Sequence, residues 1–253
     1  MRIGCVKYLN ARPLIYGWPG AVTLDHPSAL CDMLASGVLD VALVSSFEFL
    51  RNPIYRIVDD ISISSDGAVY SVVVAHRDES SFATIELDPA SQTSVALLNF
   101  LMSKRGRAFR CSEMTGEVLA PIDKNRARLL IGDQAIRFRK KFGDVYRYWD
   151  LGAEWKDCVG LPFVYALWLV RPTVIEGGLL GEQLRALRDS NLRNIDKIIA
   201  AESEFDPESC RHYYSQNLRF SFGNREKKGL QEFANVCASL ELIRKSELKL
   251  ALV

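Results

Sequence analysis

Small polar side chains recur in this sequence where a predicted strand gives way to a predicted helix. The residues at these points are Asn10, Ser45, Ser46, Thr93, Ser94 and Asp133. In open α/β sheets, ligands collect at the carboxyl ends of strands, and the helices that begin there offer unpaired N–H groups. Hydroxyls, amides and backbone N–H groups hold carboxylates well. The set contains little that resembles a strong nucleophile, so the pattern predicts a binding site for an anionic small molecule.

Two further features extend this set. The segment 62–67 is rich in hydroxyls and turn residues, and it is predicted to be a loop that contributes Ser64 and Ser65. Arg12 follows Asn10 closely and is expected to add a charge-assisted contact to a carboxylate. Each residue alone also has a structural interpretation, because Ser, Thr, Asn and Asp at helix starts are most often caps. The coincidence of four helix starts carries more weight than any single member.

The sequence predicts neither a metal site nor a cofactor. The three histidines share no metal-binding spacing, and the six cysteines lie far apart without a Cys-x-x-Cys pair. The glycine spacing fits no dinucleotide fingerprint, and no Walker sequence occurs. Lys and Arg number 32 against 31 Asp and Glu, and this formal charge of +1 gives no electrostatic reason to bind nucleic acid or a membrane. We therefore expect a small-molecule partner, and we leave the oligomeric state open.

The beginning of the sequence bears on location. Met1 to Gly4 lead directly into an apolar strand, without the charged start and apolar stretch of a signal peptide. No apolar run reaches the roughly 18 residues needed to span a bilayer. We expect a cytoplasmic protein.

The order of the predicted elements indicates the fold class. Short apolar runs alternate with segments of helical period, which is typical of an α/β protein with largely buried strands. The predicted strands lie before residue 172, and from about Leu179 the pattern is wholly helical. A chain that builds one lobe, crosses to a second and returns with helices would place residues 1–76 and 171–253 in lobe one. Residues 77–170 would then form lobe two.

Several of these segments together resemble one known family. The segments, in chain order, are 3–14 (IGCVKYLNARPL), 39–48 (LDVALVSSFE), 61–67 (ISISSDG), 91–98 (SQTSVALL), 131–133 (IGD), 150–155 (DLGAEW) and 160–163 (GLPF). Taken together, they closely resemble the chorismate dehydratases of the futalosine route to menaquinone. The resemblance covers residues 3 to about 171, and it extends to the helical tail only by length and pattern.

This resemblance implies a fold and a reaction. The fold is the two-lobed, periplasmic-binding-protein-like (type II) α/β fold, with the ligand cleft between the lobes. The reaction converts chorismate to 3-[(1-carboxyvinyl)oxy]benzoate and water. A proton leaves a ring carbon that is vinylogous to the ring carboxylate, the neighbouring hydroxyl is lost, and the ring becomes aromatic. Because aromatisation drives the reaction, the protein mainly has to hold a dianion and stabilise the charge that develops.

Hypotheses for the residue roles follow from that need. Thr93 and Ser94, with the N-terminus of their helix, would receive one carboxylate. Ser45, Ser46 and the Ser64–Ser65 segment would hold the other carboxylate or the ring hydroxyl. Asn10 is expected to lie nearest the reacting carbons and to orient the substrate or hydrogen-bond the leaving hydroxyl, because an amide is a poor base. The base is either Asp133 or the enolpyruvyl carboxylate of the substrate itself.

Two other functions fit the same sequence features. One is a sister enzyme of the same pathway and fold that forms 1,4-dihydroxy-6-naphthoate, which would be expected to carry a histidine base in its cleft. His76 is the only histidine near a predicted strand end. The other is a non-catalytic binder of an aromatic or dicarboxylic acid, since a fold does not by itself imply catalysis.

Overall fold

A computed structural model of the protein describes residues 1–78, 82–88, 91–106, 109–245 and 248–253. The strands are β1 (Ile3–Val6), β2 (Val22–Asp25), β3 (Val41–Ser45), β4 (Arg56–Ser65), β5 (Val72–His76), β6 (Thr84–Leu87), β7 (Arg110–Glu113), β8 (Arg126–Ile131), β9 (Arg147–Asp150) and β10 (Phe163–Val170). The helices are α1 (Arg12–Ile15), α2 (Pro27–Ala35), α3 (Ser46–Arg51), α4 (Gln92–Arg105), α5 (Gly132–Phe142), α6 (Leu151–Val159), α7 (Gly177–Arg193), α8 (Ile195–Ala200), α9 (Pro207–His212) and α10 (Asn224–Ser239). Short 3₁₀ turns lie at Leu9–Ala11 and Gly143–Val145, and a π-helical turn at Tyr213–Asn217.

The strands form two five-stranded sheets of the same design. The first has the order β2-β1-β3-β10-β4, and the second the order β7-β6-β8-β5-β9. In the first sheet β1 lies parallel to β2 and β3, and β10 inserts antiparallel between β3 and β4. In the second sheet β6 lies parallel to β7 and β8, and β5 is antiparallel to β8 and β9. The predicted α/β class is therefore confirmed, with two halves built on one plan.

At each of the two points where the chain passes from one sheet to the other, the observed boundary differs from the predicted lobe boundary by one strand. β5 precedes the boundary expected at residue 76 but pairs in the second sheet, and β10 precedes the boundary at 171 but pairs in the first. Both strands are buried along their whole length. A strand buried on both faces is uniformly apolar, so its sequence carries no signal of which sheet it joins. The chain crosses between the sheets at about residues 66–71 and 151–162.

The C-terminal segment returns to the first half of the molecule. α7 packs against α1 and β4, and α10 packs against β10. The end of the chain adds a parallel bridge from Leu252 to Ile57 in β4. Within the described residues, none of the helices has the length and apolar character needed to cross a membrane.

The hydroxyl-rich segment 62–67 is mostly strand and not the predicted loop. Residues 56–65 form β4, in which Ser62 and Ser64 are fully buried. The Ser62 hydroxyl donates to the Ser221 carbonyl at 2.5 Å, and the backbone of Ser64 bonds with that of Arg219. The alternation of Ser and Ile has the two-residue period of a β-strand. The buried hydroxyls donate to backbone carbonyls of the returning C-terminal segment. Turn-forming composition alone conceals this arrangement.

One carboxylate ties together the two crossings between the sheets. Asp150, at the end of β9, accepts the backbone N–H groups of Val69 and Tyr70 at 2.9 and 2.6 Å in the first crossing. The same carboxylate caps α6 by accepting from Gly152 and Ala153 at 3.0 and 3.1 Å. Tyr70 has a φ of 67°, a left-handed conformation that a non-glycine residue adopts only when its surroundings enforce it. Asp150 supplies that constraint.

We expect Asp150→Ala to lower the free energy of unfolding by roughly 2–4 kcal/mol, because it leaves backbone donors of both crossings unpaired and removes a helix cap. Chemical denaturation followed by circular dichroism measures the change. Asp144→Ala, which removes an exposed carboxylate from the same region, is the matched control and should change stability by less than about 0.5 kcal/mol. Equal stability of the two variants would contradict the anchoring role of Asp150.

Candidate functional site

A cavity lies between the two sheets and is lined by residues of both. Val6 and Ser45 reach it from the ends of β1 and β3 in the first sheet, and Ile131 reaches it from the end of β8 in the second. The carboxyl ends of strands from both sheets therefore meet at one site, as expected from the sequence.

Four helices begin at the wall of this cavity. Pro27 is the first residue of α2, Ser45 immediately precedes α3, Thr93 lies in the first turn of α4, and Gly132 begins α5. The first turn of a helix has N–H groups without intrahelical partners and carries partial positive charge. Four such turns around one cavity favour a ligand with negative charge.

The hydroxyls of Ser45 and Thr93 hydrogen-bond to each other and join the two halves at the cavity wall. Thr93 was predicted to cap α4, but Ser91 holds the cap position and Thr93 is the second helical residue. The Thr93 hydroxyl is consequently available to Ser45 and to the backbone N–H of Phe47, 3.3 Å away. Ser94, the next residue, also lines the cavity.

Asn10 lies in the 3₁₀ turn that follows β1, and its side chain lines the cavity. The Asn10 Oδ1 atom is buried and has no hydrogen-bond partner within the described part of the chain. An unpaired buried amide oxygen is costly to keep in a folded protein, so it marks a position where a hydrogen-bond donor of a ligand is expected. Of the predicted site residues, the structure thus brings together Asn10, Ser45, Thr93 and Ser94.

The other hydroxyls of the predicted set are not among the cavity-lining residues, and each is engaged elsewhere. Ser46 is fully buried and donates to the carbonyl of Val164 at 2.6 Å. Ser64 contacts Ser62 and the returning chain on the far side of β4. Ser65 donates to the Gly67 carbonyl at 2.9 Å. Neighbouring side chains on a strand point to opposite faces, so adjacent serines could not all face one ligand.

Arg12 also lies away from the cavity. Its guanidinium forms an ion pair with Glu202, whose side chain is only 2% exposed. Among the residues that line the cavity within the described chain, none carries a formal charge. Arg12 is therefore not in the cavity lining, which provides neutral polar groups and helix N-termini.

Asp133, expected to cap its helix and named as one candidate base, takes a different position. α5 begins at Gly132, and the Asp133 carboxylate accepts the backbone N–H of Leu9 in the other half at 2.8 Å. Asp133 is not part of the cavity wall, although Gly132 beside it is. Burial raises the pKa of the Asp133 carboxyl from 3.8 to about 6, and the Leu9 N–H, Arg137 and Arg12 partly oppose this rise.

Sequence reasoning missed Ser71, which lines the cavity next to β5. Its hydroxyl is fully buried and accepts from the Tyr213 hydroxyl at 2.6 Å. Because Tyr213 donates in this bond, the Ser71 proton is free to point into the cavity. The available signal was a single serine inside the run Val69 to Ala75, which is otherwise apolar except for Tyr70.

Comparison with known proteins agrees with this geometry. The fold is similar to that of the periplasmic aliphatic sulphonate binding protein SsuA from Escherichia coli, with a TM-score of 0.67, 11% identity, and coverage of 97% of this chain and 88% of the other. The structure thus defines a periplasmic-binding-protein-like fold with a cavity between its halves. A family described as "Menaquinone biosynthesis" has a sequence profile that matches residues 1–239. The chain belongs to this menaquinone biosynthesis family, which confirms the resemblance drawn from the sequence.

Two relatives are similar along nearly the whole chain. A protein named chorismate dehydratase from Thermus thermophilus is 30% identical, over 92% of this chain and 93% of its own length. A protein of the same name from Campylobacter jejuni is 26% identical, over 93% of this chain and 92% of its own length. The similarity therefore includes both halves and the helical tail.

The buried Asp133 carboxyl makes the stability of the protein depend on pH. Since its pKa is about 6 in the folded protein against an ordinary 3.8, the folded state binds this proton more tightly than the unfolded chain does. Asp133 thus favours folding most below pH 4, and this contribution is lost as the pH rises through 6. We expect Asp133→Asn to gain up to about 3 kcal/mol relative to wild type between pH 4 and pH 7. Urea denaturation across this range measures the difference, and parallel curves would contradict the raised pKa.

Proposed function

We propose that this protein is a chorismate dehydratase, a hydro-lyase that converts chorismate to 3-[(1-carboxyvinyl)oxy]benzoate and water. The observation that carries the proposal is the cavity between the halves, lined by neutral donors and helix N-termini, in a chain similar over nearly its full length to proteins of that name. Chorismate is a dianion with two carboxylate groups. Its two carboxylates suit the helix starts that converge there.

The reaction requires stabilisation of the developing negative charge more than it requires a strong base or nucleophile from the protein. One C–H bond of the cyclohexadiene ring breaks, and the electron pair spreads toward the ring carboxylate. The neighbouring C–O bond then breaks, and the departing hydroxide takes up a proton to become water. Donors placed where the charge accumulates lower the barrier because they need no rearrangement during the reaction.

The cavity residues divide naturally between the two carboxylates and the reacting carbons. Thr93 and Ser94, in the first turn of α4, hold one carboxylate with their hydroxyls and backbone N–H groups. Ser45 and Ser71 hydrogen-bond the other carboxylate or the ring hydroxyl. Asn10, with its unpaired Oδ1, stands nearest the reacting carbons and orients the leaving hydroxyl.

The cavity supports the substrate's own enolpyruvyl carboxylate as the base. Among the residues that line it in the described chain, only Tyr8 and Tyr165 can ionise. Burial raises the pKa of both phenols, so they stay protonated at neutral pH and cannot accept the ring proton. Asp133 lies outside the cavity wall and is occupied with Leu9. The substrate carboxylate, held close to the ring, has the necessary basicity and proximity.

Incubation of the purified protein with chorismate, followed by chromatography of the aromatic product, tests the proposed function. We expect turnover by the wild type and a loss of about 10²–10³-fold in kcat/KM for Asn10→Ala, since one positioned hydrogen-bonding group is worth that much in comparable sites. Asn235→Ala, at an exposed position of α10, is the control and should retain full activity. A rise in melting temperature with chorismate but no product would instead identify a non-catalytic binder.

A neighbouring pair of serines provides a second test. Ser45 lines the cavity, whereas the Ser46 hydroxyl is engaged by the carbonyl of Val164. Removal of a hydroxyl that bonds a carboxylate costs about 1.5 kcal/mol or more, so Ser45→Ala should raise KM roughly tenfold. Ser46→Ala should leave KM within about twofold of wild type, because loss of this hydroxyl lowers the stability of the folded protein and removes no contact with the substrate. Steady-state kinetics of both variants measure this, and the reverse order of effects would contradict the site.

A further inference from the structure

We infer that Asp133 is a positioning residue for the dehydration. From the second half of the molecule, Asp133 fixes the turn that contains Leu9 and Asn10. This inference rests on the proposed function and deepens it. The contact that carries it is the 2.8 Å hydrogen bond from the Leu9 N–H to the Asp133 Oδ1 atom, buried between the two halves. Leu9 is 1% exposed, so water cannot replace this acceptor.

The turn that carries Asn10 has no cap of its own. The 3₁₀ turn Leu9–Ala11 follows Tyr8, whose side chain makes no capping hydrogen bond. The first N–H of such a turn needs an acceptor from elsewhere, because an unpaired buried donor costs free energy. Asp133 provides this acceptor. The Leu9 N–H is therefore paired only when α5 of the second half lies against the turn.

The two backbone groups of Leu9 are held from opposite sides. Its N–H is held by Asp133, and its carbonyl accepts from the Tyr214 hydroxyl at 3.0 Å. Asn10 is the next residue, and its unpaired Oδ1 lies at the cavity. With Leu9 fixed at both ends, the direction of the Asn10 side chain is set by the contact between the halves. Tyr214, on the returning segment, and Asp133 hold the Leu9 backbone, and the Tyr213 hydroxyl contacts the Asn10 side chain itself.

Close packing leaves this junction little freedom. Gly132, before Asp133, has a φ of 53°, and a Cβ at this position would lie 3.0 Å from the ring of Tyr8. A side chain at position 132 would therefore push the two halves apart at the Leu9 contact. The glycine lets α5 approach closely enough for Asp133 to reach the Leu9 N–H.

The charged groups around Asp133 show why its carboxyl stays in place. Arg12 of α1 and Arg137 of α5 favour its ionised form, whereas Glu204 opposes it. The phenols of Tyr8 and Tyr213 also lie within electrostatic reach. Arg137 in turn pairs with Glu204, at 2.8 Å from its Nη2 atom. None of these groups takes the Leu9 N–H, so the backbone contact belongs to Asp133.

A base and a positioning residue respond differently to substitution of Asp133. A base needs the carboxylate, and loses its function in Asp133→Asn and Asp133→Ala alike. A positioning residue needs only an oxygen that accepts from Leu9, which the amide of Asp133→Asn retains and Asp133→Ala lacks. We expect Asp133→Ala to lower kcat about 30-fold with a smaller change in KM, and Asp133→Asn to restore most of that loss.

A double variant tests whether Asp133 acts through Asn10. In the Asn10→Ala background, Asp133→Ala should cost little further kcat, because the residue that it positions is already gone. Glu204→Ala, which removes an acid paired across the same junction without touching Leu9, is the matched control and should leave kcat unchanged. Multiplicative losses in the double variant, or equal losses in Asp133→Asn and Asp133→Ala, would overturn the inference.

Amide hydrogen exchange provides a readout that needs no activity and applies even to a variant with weakened folding. Peptides that cover residues 8–12 should exchange faster in Asp133→Ala than in wild type or Asp133→Asn, while peptides from α10 exchange equally in all three. Unchanged exchange at residues 8–12 would overturn the positioning role. Absence of product from wild-type protein and chorismate would overturn the proposed function instead, and the exchange result would still decide the contact.

Discussion

The described lining of the cavity contains no charged side chain, and this constraint shapes the rest of the molecule. Negative charge must then be met by hydroxyls and by the N–H groups of helix starts, each of which contributes little by itself. Several such groups have to converge on one volume, and a single sheet provides too few. The protein solves this with two sheets of the same plan, whose strand ends face each other across the cavity.

Convergence from two halves requires that the halves be held in register. Among the described residues, contacts that do this include the hydroxyl pair Ser45–Thr93 at the cavity wall, the Leu9–Asp133 bond behind Asn10, and the Asp150 carboxylate at the crossings. All three use a polar side chain to satisfy a group in the opposite half or in the crossing. Because buried polar groups are costly when unpaired, each contact favours one arrangement of the halves over the alternatives.

The neutral cavity also suits a substrate that brings its own reactivity. A fixed cation at the wall would bind a dianion more tightly, but it would hold the ground state as strongly as the transition state. Hydroxyl and amide donors at defined positions can favour the oxygens on which charge develops. The loss of Arg12 from the expected site, through its pairing with Glu202, is therefore consistent with the proposed dehydration.

Much of this architecture was predictable from local pattern. The alternation of apolar runs and helical segments indicated the α/β class, and polar residues at helix starts indicated Asn10, Ser45, Thr93 and Ser94. The predictions failed where one pattern has two structural solutions. The Ser-Ile alternation of β4 was interpreted as a loop, and β5 and β10 were assigned to the wrong side of the crossings.

The sequence by itself determined the order of the elements, their apolar faces and the family to which the chain belongs, because these depend on residues close together in the chain. Only the tertiary structure decided that Ser45 faces the cavity while Ser46 bonds a carbonyl, that Ser71 lines the cavity, and that Asp133 accepts from Leu9 and lies outside the cavity lining. These choices depend on which groups from distant segments meet, and a buried hydroxyl or carboxylate takes the partner that packing brings to it.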